Sequence, residues 1–264
     1  MNDLTRLLDA HRSIRKFQDR TIEEPLLEEI LRTGTRASTS GNMQFYSIVA
    51  TRDAEIKTRL YEAHRRQEMV LHAPVVLTFC ADQHRLTEWM KSEGADYAGD
   101  NWIGWLRGVI DVSLVAQNVA VAAESHGLGI CYMGSTLMAA DKIAEILRLP
   151  NLVFPVTSLV IGWPDESPAR VERLPLEAVV HREIYETRSV EKIKSFYADR
   201  EAEAWERLKN NAAIKGKVDS GEIKNTAQIY TNLKYSRTSL ETYSETVERA
   251  LKDLSVLTRV KGGR

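Results

Sequence analysis

IGWLRGVIDVSLVAQNVAVAAESHGLGICYMG, residues 103–134, is the stretch from which the architecture follows. From Ile103 to His126 the apolar positions keep helical spacing, Gly127 and Gly129 suit a C-terminal cap, and Ile130 to Met133 reads as a short buried strand. The helix is long enough to be mistaken for a membrane span. Arg107, Asp111, Gln117, Asn118 and Glu124 interrupt it, however, and each charge at a bilayer centre costs about 2.5–3.5 kcal/mol. A buried central helix is the better reading. Apolar on more than one face, it needs cover on both sides, and a second copy of the chain is one way to supply it.

Upstream, helical and strand-like segments alternate. Asp3 is placed to cap a short helix with Leu4, Leu7 and Leu8 on one stripe, and the basic run from His11 to Lys16 follows. Glu24 and Pro25 open a second helix that buries Leu26, Leu27, Ile30 and Leu31 and stops near Gly34. Phe45 to Thr51 and Pro74 to Ala81 read as strands, with a charged helix from Asp53 to Gln67 between them. Downstream, a helix from Ala140 to Leu147 precedes a strand from Val156 to Trp163, and a proline-marked loop from Pro164 to Pro175 closes the compact part. Beyond Tyr185, charged helices near Val190 to Leu208 and Ser239 to Leu257 flank a polar linker, a tail with little core of its own.

The 36 Lys+Arg against 37 Asp+Glu leave a net charge of −1, so no global field draws the chain to nucleic acid or an anionic membrane. Hydrophobic residues at 43% and charged ones at 28% exclude disorder of the whole chain. Met1 to Phe17 carries Asp3, Arg6, Asp9, Arg12 and Arg15 where a secretory signal would be apolar, so a cytoplasmic location is expected. The two cysteines, Cys80 and Cys131, sit in strand-like apolar segments and read as small hydrophobes, with neither a disulfide nor a zinc site expected.

Three runs carry chemistry. In His11-Arg12-Ser13-Ile14-Arg15 an extended backbone sends alternate side chains the same way, so His11, Ser13 and Arg15 can converge, and an arginine fork suits a phosphate. A solvated basic turn and a nucleic-acid arm are the other readings of this run. Ser38-Thr39-Ser40-Gly41-Asn42-Met43-Gln44 offers hydroxyls and backbone N–H groups that can line a phosphate, a ribityl chain or a ring edge, or form only a turn. The run from Gly127 to Ser135 is not a Rossmann fingerprint, because its glycines miss the G-x-G-x-x-G spacing and follow a helix where the fingerprint precedes one. No G-x-S-x-G, P-loop, H-E-x-x-H or kinase motif is present, and the six histidines are scattered. Residue types and spacing stop at an α/β protein with a possible anion site.

Taken together, these motifs resemble the FMN-dependent nitroreductase superfamily, in its NADPH-dependent, oxygen-insensitive nitroreductase and flavin reductase branch. The resemblance rests on HRSIRKF at His11 to Phe17, the Ser/Thr loop ending in Gln44, Gln67 ahead of His72-Ala73-Pro74, and Ala116-Gln117-Asn118 with Ala122-Ala123-Glu124-Ser125. It continues through Gly127-Leu128-Gly129, Tyr132-Met133-Gly134, Gly162-Trp163-Pro164 and Arg173-Leu174-Pro175 to Val180-His181. The fold it implies is an α+β sandwich whose central, mostly antiparallel sheet is flanked by helices. It also implies an intertwined homodimer with FMN at the interface, an FMN-binding domain over 1–185, and a helical extension over 186–264 that packs on the dimer.

By the same resemblance, His11, Arg12, Ser13 and Arg15 look like FMN contacts, as do Ser38, Thr39 and Ser40. Gln67 would meet the pyrimidine edge, Tyr132, Met133 and Gly134 would lay backbone against the ring, and Arg173 would hold the phosphate. The family often has a lysine two residues before that arginine; here it is Val171, with Arg170 beside it as a substitute. The implied activity is hydride transfer from NADPH, by a ping-pong course, to an oxidised small-molecule acceptor such as a nitroaromatic, a quinone or free flavin. Arg15 would tune the flavin, and no side chain need act as nucleophile or general base. Lys234-Tyr235-Ser236-Arg237 is similar to a segment whose arginine sits over the flavin in this branch, which makes Arg237 the candidate to grip substrate or NADPH, and Arg200, Arg207 and Arg237 are the candidates for the 2′-phosphate. A reductase of an unrelated conjugated metabolite and a non-catalytic flavin-binding protein are the alternatives.

Overall fold

The structure, a computed structural model, describes residues 1–258. Packing divides them into two compact units, one formed by Met1–Arg170 with the segment from Tyr243 onward, the other by Val171–Thr242. Composition draws its boundary at 185/186; packing draws its own at 170/171.

The first unit contains α1 (Asp3–Asp9), α2 (Glu24–Gly34), β1 (Tyr46–Thr51), α3 (Ala54–Ala63), α4 (Met69–His72), β2 (Val75–Asp82) and α5 (His84–Ser92). These are followed by α6 (Trp102–Ser125), β3 (Gly129–Met133), α7 (Ala140–Ile146) and β4 (Val153–Gly162). The strands form one antiparallel sheet in the order β1-β2-β4-β3. Because side chains alternate along a strand, each inner strand feeds two cores. Val75, Leu77 and Phe79 of β2, Leu159 and Ile161 of β4 and Ile130 of β3 pack with Val112, Val115 and Val119 of α6 and Leu27 and Ile30 of α2. Val76, Val160, Cys131 and Met133 face the other way, against Leu60 of α3, Val70 of α4 and Ile143 of α7. Each large aliphatic side chain so buried contributes roughly 1.5–3 kcal/mol.

Several local expectations change. Asn2, not Asp3, caps α1, its side chain accepting from the Thr5 N–H at 2.8 Å. Leu26 and Leu31 are only partly buried, and the stripe of α1 leaves Leu4 and Leu8 exposed. The helix after Asp53 ends at Ala63, because Arg65 and Arg66 both adopt left-handed backbone, with φ of 59° and 56°. Gly127 does follow the end of α6, at φ 78°, but Gly129 begins β3, where a Cβ would lie 2.7 Å from Ile14. Its small size serves a close approach, not a cap.

In the second unit lie α8 (Leu176–Val179), α9 (Val190–Leu208), α10 (Lys215–Asp219) and α11 (Thr226–Leu233). The expected polar linker is thus about half helical, and the tail does have a core: Ile214, Ile223 and Ile229 pack with Trp205, Leu208, Val218 and Leu233. The last helix, α12 (Arg237–Asp253), carries the chain back into the first unit, where Ala250, Leu251 and Val256 join Ala140 and Phe154 in a further cluster.

One carboxylate inside α6 ties the sheet's β1 end to its main helix. Asp111, 1% exposed, accepts from the Ser40 N–H at 2.9 Å, the Ser40 hydroxyl at 3.0 Å, the Phe45 N–H at 3.1 Å and the Thr39 hydroxyl. Thr39 Oγ1 in turn accepts from the Gln44 N–H at 3.0 Å. Removing the carboxylate strands buried donors, at about 1–3 kcal/mol each. Asp111→Ala should therefore lose about 3 kcal/mol or more and lower Tm by roughly 6–12 °C in thermal denaturation, and a shift under about 1 °C would contradict this account.

Candidate functional site

The first motif runs beside the outer strand of the sheet. The Ile14 N–H donates to the Ile130 carbonyl at 2.8 Å, and Ser13 pairs with Ile130 in a parallel bridge, so the motif acts as a short strand next to β3. His11 Nδ1 meets Glu124 Oε1 of α6 at 2.7 Å. Ser13 turns its hydroxyl to the Cys131 thiol; burial raises that thiol's pKa, against the opposing pull of the Arg15 guanidinium and of Ser13 itself. Arg15 is exposed, while its backbone N–H and that of Lys16 donate to Glu166 Oε1 at 2.6 and 3.2 Å. Arg12 turns aside, donating to the Pro168 carbonyl at 3.2 Å. A cavity of about 330 Å³ opens here between His11, Arg12, Glu124, Gly127 and Ser167.

Tyr132, Met133 and Gly134 continue from β3 at the same edge. Tyr132 is half-buried, its phenol pKa pushed up by desolvation and then by Glu124, and its hydroxyl lies 3.4 Å from Gln117 Oε1. Met133 is buried in the core. Gly134 is exposed, and a Cβ built on it would meet nothing within 4 Å, so the backbone there is open to a flat ligand.

Gln67 arrives by the left-handed turn at Arg65 and Arg66. Its Nε2 donates to Ser135 Oγ at 3.0 Å and to the His64 carbonyl at 3.0 Å. His64 is fully buried, with Nδ1 2.9 Å from Ser135 Oγ and, among the described residues, no hydrogen-bond partner for Nε2. Desolvation lowers its pKa to about 4, so the ring is neutral near pH 7. His11, Ser13, Arg15, Gln67, Tyr132 and Gly134 thus come together around β3.

The Ser/Thr loop is elsewhere. Ser38 is exposed, and the hydroxyls of Thr39 and Ser40 are engaged by Asp111. Asp111 and Glu124 lie on one continuous helix, so at a rise of ~1.5 Å per residue the loop and His11 are held about 20 Å apart. Arg170 is engaged by Asp9 at 2.9 Å.

Arg173 belongs to the second unit, where it is exposed. Arg237, with a 90% exposed side chain, lies 3.9 Å from Glu241. Arg200 and Arg207 line a cavity of about 670 Å³ within that unit, together with Lys194, Tyr197, Glu203 and Tyr230.

Asp111, Glu124, Glu166, His64 and Ser135 shape the site and none is among the expected contacts, although Glu124 and Ser135 fall within the quoted runs. For the first two a signal exists in the sequence: a carboxylate within an apolar helix must find donors, and both occur where the helix is otherwise buried.

The pattern of the Nitroreductase family matches residues 8–163. The Cr(VI) reductase of Pseudomonas sp. (strain G-1) is 36% identical over 214 residues, covering 81% of this chain and 86% of its own. The FMN reductase (NADPH) of Bacillus subtilis is 34% identical over 187 residues, covering 70% and 75%. A crystal structure of an oxidoreductase from Bacteroides fragilis superposes with a TM-score of 0.87 at 39% identity, covering 96% of this chain and 99% of its own. The motif beside β3, the antiparallel sheet and these likenesses agree, and the chain belongs to the nitroreductase family.

Proposed function

We infer that this chain is an FMN-dependent oxidoreductase that passes hydride from NADPH to small oxidised acceptors, namely nitroaromatics, quinones or free flavin. The observation that carries the reading is the convergence at β3 of an open backbone at Gly134, a Gln67 Oε1 that no described residue engages and the exposed cation Arg15. These residues fit FMN: a flat ring can lie on the open backbone, its polar edge can meet the Gln67 amide, and Arg15 offers positive charge to a ring that gains electrons. When bound, FMN supplies the redox chemistry, as a two-electron carrier between nicotinamide and acceptor. His11, Ser13 and Arg15 with Gln67, Tyr132 and Gly134 form one contact group, to which Arg12 and the Met133 backbone are neighbours; Ser38, Thr39 and Ser40 form another; Arg173 is the residue proposed for the phosphate.

The separation of the first two groups supports a homodimer in which the Ser/Thr loop of one copy completes the site of the other. Ile103, Leu106, Ile110 and Leu114, exposed at 42–57% on one stripe of α6, are a suitable surface for that contact. The free buried cysteines agree with a cytoplasmic location.

The flavin released by heat should be FMN and not FAD, because the chain lacks a Rossmann motif for an adenine dinucleotide. Chromatography of the supernatant decides this, and anaerobic NADPH should bleach the yellow protein; a flavin band that NADPH leaves untouched would mean a binding protein instead.

Light scattering should report a dimer. Ile110→Glu, which puts a charge on the apolar stripe, should yield monomers with weakened FMN binding. A monomeric wild type holding stoichiometric FMN would refute the shared site.

For the 2′-phosphate of NADPH, we propose Arg200 and Arg207 ahead of Arg237, since the first two share a cavity with Lys194 and two tyrosines. A charge-assisted contact of about 1.5–3 kcal/mol corresponds to about ten- to a hundredfold preference for NADPH over NADH. Steady-state kinetics on Arg200→Ala, Arg207→Ala and Arg237→Ala should show the ratio falling for the cavity residues and weakening with salt in wild type. A ratio unmoved by all three would place the grip elsewhere.

A further inference from the structure

We propose that Ser135 and His64 are positioning residues that hold the Gln67 amide in a single orientation, carbonyl oxygen outward, as the acceptor for the imide N–H on the pyrimidine edge of the flavin. The inference deepens the reading of Gln67 as a flavin contact and rests on it. An amide side chain has a donor end and an acceptor end, and only its surroundings decide which faces out. Here the donor end is taken twice on the protein side, by the His64 carbonyl and by Ser135 Oγ. A flipped amide would set Oε1 against the His64 carbonyl at the same 3.0 Å, acceptor against acceptor. The outward end is therefore Oε1, which no described residue engages.

Ser135 can serve as acceptor because its own proton has somewhere to go. It is 5% exposed, and its hydroxyl lies 2.9 Å from His64 Nδ1, to which it donates in the neutral tautomer that carries its proton on Nε2. Burial keeps that ring neutral. The chain of donors runs Gln67 to Ser135 to His64. Among the described residues His64 Nε2 reaches no partner, so the contact with Ser135 is the whole of the side chain's polar bonding there. An apolar ring would fill the same space without a stranded nitrogen. The retained imidazole, and the left-handed backbone at Arg65 and Arg66 that delivers Gln67 to it, both cost stability and both act on the same amide.

The test is titration of the flavin-free full-length protein with FMN and with 3-methyl-FMN, which lacks the imide N–H. Wild type should bind FMN about tenfold more tightly, the equivalent of one hydrogen bond, and Gln67→Ala should abolish the preference. Ser135→Ala and His64→Phe should cut the preference to about threefold or less, and Ser135→Thr, which keeps a hydroxyl, should restore it. A wild type that does not distinguish the two flavins removes Gln67 from the pyrimidine edge, and the proposal goes with it. A wild-type preference that survives in Ser135→Ala and His64→Phe overturns the positioning role alone, whether or not both flavins bind more weakly. Thermal denaturation identifies a variant that fails to fold, and the other variant then decides.

Discussion

A single buried carboxylate governs how this molecule is put together. Asp111 sits in the middle of α6, the helix that covers one face of the sheet, and it draws the chain entering β1 onto that helix through two backbone N–H groups and two hydroxyls. Burying a charge is unfavourable unless its lone pairs are filled, and here four donors fill them. At the last turn of the same helix, Glu124 engages His11 through one short contact. The helix is thus a rigid spacer with one carboxylate clamp near its middle and one in its last turn, and the segments it holds are those whose residue types suggest flavin binding.

The three segments around β3 are assembled by different means, and this explains what could be read beforehand. The motif at His11 to Arg15 was legible because its residue types are unusual together and its alternation needs only an extended backbone. The long helix was legible because periodicity over so many residues outweighs local preference, and its limits differ from expectation by one residue at each end. The turn at Arg65 and Arg66 was not legible: arginine has no preference for left-handed backbone, so that conformation comes from the packing on either side of it. The hidden pair His64 and Ser135 follows from that turn.

Other misses share a cause. The α5 helix has no cap from Gln83, its Arg85 N–H being met instead by Asp82 at the end of β2, and it buries little more than Leu86 and Thr87, so its apolar face is too narrow to mark it. In the tail, Ile214, Ile223 and Ile229 are spaced at no helical or strand period, and their cluster exists only because α9, α10 and α11 fold back on one another. Composition describes such a segment as polar linker; three isoleucines give it a core.

The return of the last helix bears on how the protein is made. Phe154 of β4, Ala140 of α7 and Trp105 of α6 belong to the cluster that Ala250, Leu251 and Val256 complete, and the Leu152 N–H donates to the Leu254 carbonyl at 2.7 Å. On the ribosome, these partners emerge roughly a hundred residues apart, since synthesis runs from the N-terminus. The sheet is available to fold while the segment between is still being translated, yet its far end stays uncovered until the final helix arrives. An apolar surface that waits so long is where a nascent chain meets chaperones, and the order of synthesis delays the closing of this core until α12 has been made.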